Sequence, residues 1–263
     1  MFHLLVFIFG LLIGSFLNAV IHRLDTGESI VSKRSHCPKC GHTLRWYELI
    51  PVVSFIMQRG RCRACDKKIS LQYPAVELGT ASLFILIFQL TADYPLGWQF
   101  LATAYLFIIA SLLIVVFVYD LKHYIIPDKI VFPAVGIALG YRVFEVFNFG
   151  FISDFHGLLN PVISAFLASA FFAAIFFISR GTWMGFGDVK LAFLMGLILG
   201  WPNILAALIF AFILGGIVGI GLVLQGTKDM KSQVPFGPFL VAGTFIAIFW
   251  GKEIIDWYLA LLI

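Results

Sequence analysis

Long apolar runs separated by short polar connections make up most of this chain. They fall at about 2–21, 75–92, 98–119, 130–147, 161–179, 188–200, 203–224 and 237–262. Most span about 18 to 22 residues, which is enough for a helix to cross roughly 30 Å of hydrocarbon. Only structures that satisfy all their own backbone hydrogen bonds can cross a bilayer. We therefore predict an all-α polytopic membrane protein with about eight transmembrane helices.

Composition and turn signals refine this prediction. With 61% hydrophobic and 12% charged residues, the chain carries more apolar surface than one soluble domain buries, so its main surroundings should be the lipid bilayer. The first run has no basic residues before it and no small-residue cleavage site, so we interpret it as a retained helix. The sixth run is short, and a turn signal at Gly200 to Asn203 includes Pro202. Seven spans with a re-entrant segment therefore remain an alternative.

The basic residues are unevenly distributed. The net charge of +4 would suggest nucleic acid in a soluble protein, but ten of the eighteen Lys and Arg lie between Arg23 and Lys68. In a membrane protein such a cluster indicates the cytoplasmic side, so we expect no nucleic-acid partner. This orientation puts the N-terminus outside and the segment 22–74 in the cytoplasm.

The remaining charges follow the same pattern. The predicted outer connections at 93–97, 148–160 and 201–203 contain no Lys or Arg, whereas the predicted cytoplasmic ends carry Lys122, Lys129, Arg180, Lys190, Lys228 and Lys231. The exceptions are Arg142 and Lys252. The charges thus favour one orientation for the whole chain.

All four cysteines lie in the basic segment, as Cys37-Pro-Lys-Cys40 and Cys62-Arg-Ala-Cys65, with 21 residues between the pairs. This spacing is typical of a tetrahedral zinc site, which would stabilise a segment that has little apolar core. Disulfides, free thiols or a thiol redox role are alternatives, but a cytoplasmic location is reducing. Four thiolates leave no open position for water, so we predict a structural zinc.

Two aspartates stand at the ends of apolar runs. Asp120 closes the third run, and Asp188 opens the sixth within Gly185-Phe-Gly-Asp-Val-Lys190. Ionisable groups at such depth are functional candidates. Two carboxylates that share a site hold a single proton between them near neutral pH, which supplies one base and one acid for peptide hydrolysis. We predict that Asp120 and Asp188 are a catalytic pair.

Neighbouring residues have open alternatives. The glycines at 185 and 187 either make room beside Asp188 or serve ordinary helix packing, and Asp188 could also be a helix N-cap. Asp128, after Pro127, is more typical of a turn or N-cap residue of the fourth helix than of a second base. Lys122 and Lys190 are either cytoplasmic anchors or contacts of the pair.

Six segments together resemble the type IV prepilin peptidases. They are Gly14 to Leu24, the two cysteine pairs, Gln72 to Leu78, Asp120 to Asp128, Gly185 to Lys190 and Pro235 to Leu240. The resemblance implies an inner-membrane aspartyl protease that cuts the basic leader from type IV prepilins or type II secretion pseudopilins, on the cytoplasmic side of a Gly-Phe-like junction. It also implies that Asp120 and Asp188 are catalytic.

The resemblance further implies methylation of the new N-terminal amine from S-adenosylmethionine, in the first cytoplasmic segment. Glu77 is a candidate for holding that amine, or a first-turn helix acid. Leu49 stands where the family pattern has Asn, which bears on the methyltransferase more than on the protease. The expected organisation is a first helix at 1–22, a cytoplasmic zinc and methyltransferase segment at 23–74, and a protease core at 75–263.

Three other functions are possible. A member with protease activity alone would lack methyl transfer. A transporter or proton relay would also use intramembrane acids, but these should lie near the membrane midplane. A nonenzymatic assembly factor would use the zinc segment for docking and offers no reason for the boundary aspartates.

Overall fold

The computed structural model of the chain describes residues 2–29, 34–149, 155–225 and 234–261. The helices are α1 Phe2–Thr26, a 3-10 helix Trp46–Leu49, α2 Val53–Met57, α3 Gln72–Leu90, α4 Leu96–His123, α5 Asp128–Phe149, α6 Phe155–Ile178, α7 Phe186–Leu199, α8 Asn203–Leu224 and α9 Gly237–Ala260. Lys228, Lys231 and residues 150–154 of the predicted outer connection lie outside the described residues. The all-α prediction is confirmed.

Seven of the described helices are long and apolar enough to cross a membrane. The predicted sixth run is α7, which has 14 residues. At 1.5 Å per residue it is about 21 Å long, short of the roughly 30 Å of hydrocarbon. The chain is thus a multi-pass membrane protein in which one hydrophobic helix is shorter than a span.

The chain divides within α4 into two compact units, Met1–Val115 and Val116–Ile263. In the first unit, α1 packs along α3. A Cβ at Gly10 would lie 2.6 Å from the Cα of Ala81, and one at Gly14 would lie 2.6 Å from the Cα of Glu77. Glycine at these two positions therefore lets the helices approach closely.

The short helix α7 is the centre of the second unit, where it packs against α5, α6, α8 and α9. Its side chains from Val189 to Ile198 are mostly buried. Gly196 lies directly against the backbone of Ala165 in α6. The apolar surface of α7 is thus covered largely by neighbouring helices of this unit.

Arg142 of α5 binds the C-terminal end of α7. Its Nε donates to the carbonyl of Leu197 at 3.1 Å, and its Nη2 donates to the carbonyl of Ile198. Its Nη1 pairs with Glu145 at 2.9 Å. A helix C-terminus leaves its last carbonyls unpaired and favours positive charge, so Arg142 caps α7. This contact explains one of the exceptions in the charge pattern.

We predict that Arg142→Met lowers the free energy of unfolding by about 2 kcal/mol, because hydrogen bonds to buried carbonyls are lost and Glu145 loses its partner. Thermal unfolding of the purified protein in detergent measures the change. Lys252→Met, at the other exception and on an exposed position, is the matched control and should leave the transition within error. Equal effects of the two substitutions would contradict the capping role.

Candidate active site

Asp120 lies in the last turn of α4 and is 4% exposed. The helix ends just beyond it, where Tyr124 adopts φ +57° and its N–H donates to the carbonyl of Asp120 at 2.9 Å. This left-handed turn is a common way to end a helix. The chain then turns back before α5 begins at Asp128.

Asp188 lies in the first turn of α7 and is 7% exposed. The N-cap is Gly185, in an extended conformation, so the N-cap alternative for Asp188 is wrong. The Asp188 carboxylate instead accepts a hydrogen bond from the N–H of Gly185. A carboxylate in the first turn that reaches back to the N-cap N–H stabilises a helix start.

The two carboxylates lie close enough for charge on Asp120 to act on Asp188. Asp120 accepts a hydrogen bond from the backbone N–H of Gly237, the first residue of α9. Each carboxylate therefore faces an N–H at the start of a helix, where the partial charge is positive. These donors partly offset the cost of burying two acids together.

Glycines make the space that the pair needs. A Cβ at Gly237 would lie 2.6 Å from Oδ2 of Asp120, so a side chain there would displace the carboxylate. A Cβ at Gly187 would lie 2.9 Å from the Cβ of Ile126, which is buried. At Gly185 the nearest atom would be 3.8 Å away. Gly187 and Gly237 thus have a steric role, whereas Gly185 has room for a methyl group.

Lys190 pairs with Asp128. Its Nζ lies 2.6 Å and 2.8 Å from the carboxylate oxygens of Asp128, and 5.6 Å and 5.3 Å from the ring centres of Phe132 and Phe186. Lys122 is exposed. The pair joins the first residue of α5 to the fifth residue of α7.

The two cysteine pairs form similar turns in the first unit. The N–H of Cys37 donates to the carbonyl of His42 at 2.8 Å, and that of Cys62 donates to the carbonyl of Lys67 at 3.0 Å. The fourth residue after the first cysteine is left-handed in both turns, as Gly41 at φ +73° and Asp66 at φ +54°. The same backbone is therefore built twice, 25 residues apart.

The four thiol sulfurs lie within 4.8 Å of one another. Four convergent sulfurs of C-x2-C turns match the ligand set of a tetrahedral zinc site. Burial opposes ionisation of Cys37, but hydrogen bonds from the N–H groups of Lys39 and Cys40 and from neighbouring thiols lower its pKa to about 7. The cluster could hold a metal ion.

Glu77 and Glu48 are buried carboxylates of the first unit. Glu48 accepts the N–H of Arg45 at 2.8 Å and lies 3.6 Å from His42, so it closes the turn before Leu49. Glu77 lies in the second turn of α3 and accepts the N–H of Val52 at 2.7 Å. Glu48 therefore supports its own loop, whereas Glu77 joins a helix to the cysteine segment.

Sequence reasoning assigned no role to Ile126 or Gly237. Ile126 lies against both glycines that flank the carboxylates, because a Cβ at Gly237 would also lie 3.2 Å from its Cδ1. A glycine directly before Pro238, at the start of a predicted helix, was the available signal for a close backbone approach.

Known proteins match nearly the whole chain. Residues 8–91 match the model of the bacterial peptidase A24 N-terminal domain, and residues 107–220 match that of the type IV leader peptidase family. A prepilin leader peptidase/N-methyltransferase of Bacillus subtilis (strain 168) is 36% identical over 256 residues, covering 97% of both chains.

The chain belongs to the type IV leader peptidase family. A relative of the same name from Aeromonas hydrophila is 33% identical over 97% of this chain and 93% of its own length. A third, from Pseudomonas aeruginosa, is 29% identical over 98% of this chain and 93% of its own length. No solved structure matches. The resemblance to the prepilin peptidases is confirmed at the level of the family.

For this family member we predict unequal effects at the two glycines before Asp188. Gly187→Ala should lower peptidase activity about a hundredfold, because the added methyl group collides with Ile126 and shifts Asp188. Gly185→Ala, the matched control, should change activity less than about threefold, since its methyl group meets only ordinary contacts. Leader cleavage in detergent, with protein level checked by immunoblot, measures both. Equal losses would contradict the steric assignment.

Proposed function

We propose that the chain is an intramembrane aspartyl endopeptidase that removes the leader of type IV prepilins or type II secretion pseudopilins. The observation that carries this proposal is the burial of Asp120 and Asp188 together, each facing a backbone N–H at a helix start. The relatives' name, prepilin leader peptidase/N-methyltransferase, supports the substrate class and a second activity.

In this mechanism, one carboxylate of the pair is ionised and the other carries the shared proton. The ionised group takes a proton from water as the water oxygen attacks the carbonyl carbon, and the protonated group donates to the carbonyl oxygen. Breakdown of the tetrahedral intermediate then breaks the C–N bond, and a proton passes to the leaving amine. Because Gly187 and Gly237 have no side chains, neither position crowds Ile126 or the carboxylate of Asp120.

The proposed setting is the bacterial inner membrane, with the N-terminus outside and both the cysteine segment and the pair at the cytoplasmic face. The clustering of Lys and Arg between positions 23 and 68 supports this orientation. Arg142 does not contradict this orientation, because its guanidinium group binds the carbonyls at the C-terminal end of α7. A transporter gains no support, because Asp120 and Asp188 lie near helix ends.

We further propose that Cys37, Cys40, Cys62 and Cys65 hold a structural Zn²⁺. The ion would link the two turns and stabilise a segment that is short of apolar core. S-adenosylmethionine is the proposed methyl donor, and it supplies a methyl group from a sulfonium centre when bound. The buried carboxylate of Glu77 suits positively charged reactants in the same unit.

Asn substitutions test the catalytic pair. Asp120→Asn and Asp188→Asn keep the size of each side chain but remove its titrating proton, so each should lower the cleavage rate by about 10²–10⁴-fold. Co-expression with a leader-bearing prepilin, read by gel shift and N-terminal sequencing, measures cleavage. Asp256→Asn, at an exposed position of α9, is the matched control and should retain most activity. A pair variant that cleaves as well as wild type would refute the assignment.

Metal analysis tests the zinc site. Purified protein should contain about one Zn²⁺ per chain, and Cys37→Ser combined with Cys62→Ser should lose it. Asp66→Gly is the matched control, because glycine occupies the same left-handed position in the other turn, at Gly41. It should keep the metal. A metal-free protein with four reactive thiols would rule out the site.

A further inference from the structure

Glu77 of the first unit is a buried carboxylate that has only neutral partners in the part of the chain that the structure describes. Glu77 is 6% exposed, and among the described residues no Lys, Arg or His forms an ion pair with it. Its partners are neutral, namely the N–H of Val52 at 2.7 Å and the hydroxyl of Ser15. A buried carboxylate without a cation is costly, so the site favours a positively charged ligand.

The backbone around Glu77 is built to bring several groups together. Because Gly14 has no side chain, α1 approaches α3 so closely that the Cα of Gly14 lies against the backbone at Glu77. Val52, whose N–H the carboxylate holds, has φ +60° and ψ −49°, which a β-branched residue rarely adopts. Strained conformations of this kind concentrate at binding and catalytic sites.

Polar groups continue from Glu77 towards the start of α3. The amide of Asn18 donates to the carbonyl of Tyr73 at 3.0 Å and accepts from Gln72 at 3.3 Å. Asn18 is 2% exposed. Glu77 lies five residues after Gln72, or about 8 Å along the helix axis. The carboxylate is therefore near the ends of α1 and α3 that join the cysteine segment.

We infer that Glu77 binds the N-terminal ammonium group of the cleaved substrate for methylation. This inference rests on the proposed methyltransferase activity. It names the residue that binds the amine to be methylated. An ammonium group supplies the charge that Glu77 lacks, and its three N–H donors match the free lone pairs of the carboxylate. Glu48 does not offer the same site, because the ring of His42, a group that can carry positive charge, already lies 3.6 Å from its Oε2.

The proposed step balances with a sulfonium methyl donor as co-reactant. The ammonium group loses one proton to Glu77, and the amine lone pair attacks the methyl carbon. The N–C bond forms as the C–S bond breaks, and the bonding electrons remain on sulfur, which becomes a neutral thioether. Glu77 passes its proton to water. The role of Glu77 is thus to orient the amine and to accept a proton from it.

Peptide binding without any methyl donor tests the amine site directly. The probe is a synthetic peptide that begins with Phe, labelled at its C-terminus, compared with the same peptide acetylated at its N-terminus. Wild type in nanodiscs should bind the free amine about tenfold or more tightly than the acetylated form, the range expected for a charge-assisted hydrogen bond. Glu77→Gln should bind both forms equally, and Glu77→Asp should keep part of the preference.

Glu48→Gln is the matched control, since it removes another buried carboxylate of the same unit and should keep the wild-type preference. A preference for the free amine in Glu77→Gln, or none in wild type, would overturn the inference. A Glu77→Gln protein that has also lost its metal and its leader cleavage would overturn the inference too, because that result would show that Glu77 stabilises the fold.

Cleavage separates this inference from the proposed function. Glu77→Gln should still cut a prepilin but, with S-adenosylmethionine present, should release a product without the added methyl group in mass spectrometry. Absence of cleavage in wild type would refute the proposed peptidase, yet the peptide measurement would still decide the amine site. Normal methylation by Glu77→Gln would refute the amine site alone.

Discussion

Two carboxylates buried beside each other are the constraint on which the second unit depends. Like charges in a low-dielectric site repel, and each acid also loses hydration, so the arrangement persists only with compensating contacts. Those contacts are backbone N–H groups at the first residue of α9 and the N-cap of α7. Both donors require a backbone close to the acid, and Gly237 leaves that space free. The burial of the two acids therefore depends on the glycines beside them.

The short helix α7 holds Asp188 in place from both of its ends. At its start, the Asp128–Lys190 pair joins it to α5. At its end, Arg142 of the same helix caps its carbonyls. Along its length, Gly196 allows contact with the backbone of α6. A helix too short to cross the bilayer on its own is thus held by contacts with neighbouring helices. The same contacts fix the position of Asp188 beside Asp120.

Hydrophobic runs predicted the helices well, because a transmembrane helix must be apolar along its length and the runs end where charges begin. The cysteine spacing also predicted the convergent thiols, since two C-x2-C turns have few other uses. Contacts between distant helices were not predictable. Nothing in the sequence pairs Arg142 with the end of α7, Ile126 with Gly187 and Gly237, or Val52 with Glu77, because such pairs depend on three-dimensional packing.

Isotope-edited NMR offers the most direct test that Asp120 and Asp188 form one coupled site. With aspartate ¹³C-labelled at its side-chain carboxyl, the wild-type protein should show two resonances that titrate together, each through the same two steps. In Asp120→Asn the Asp188 resonance should titrate in a single step, and Asp188→Asn should do the same for Asp120. Two resonances that titrate independently, each unaffected by substitution of the other, would contradict the shared site.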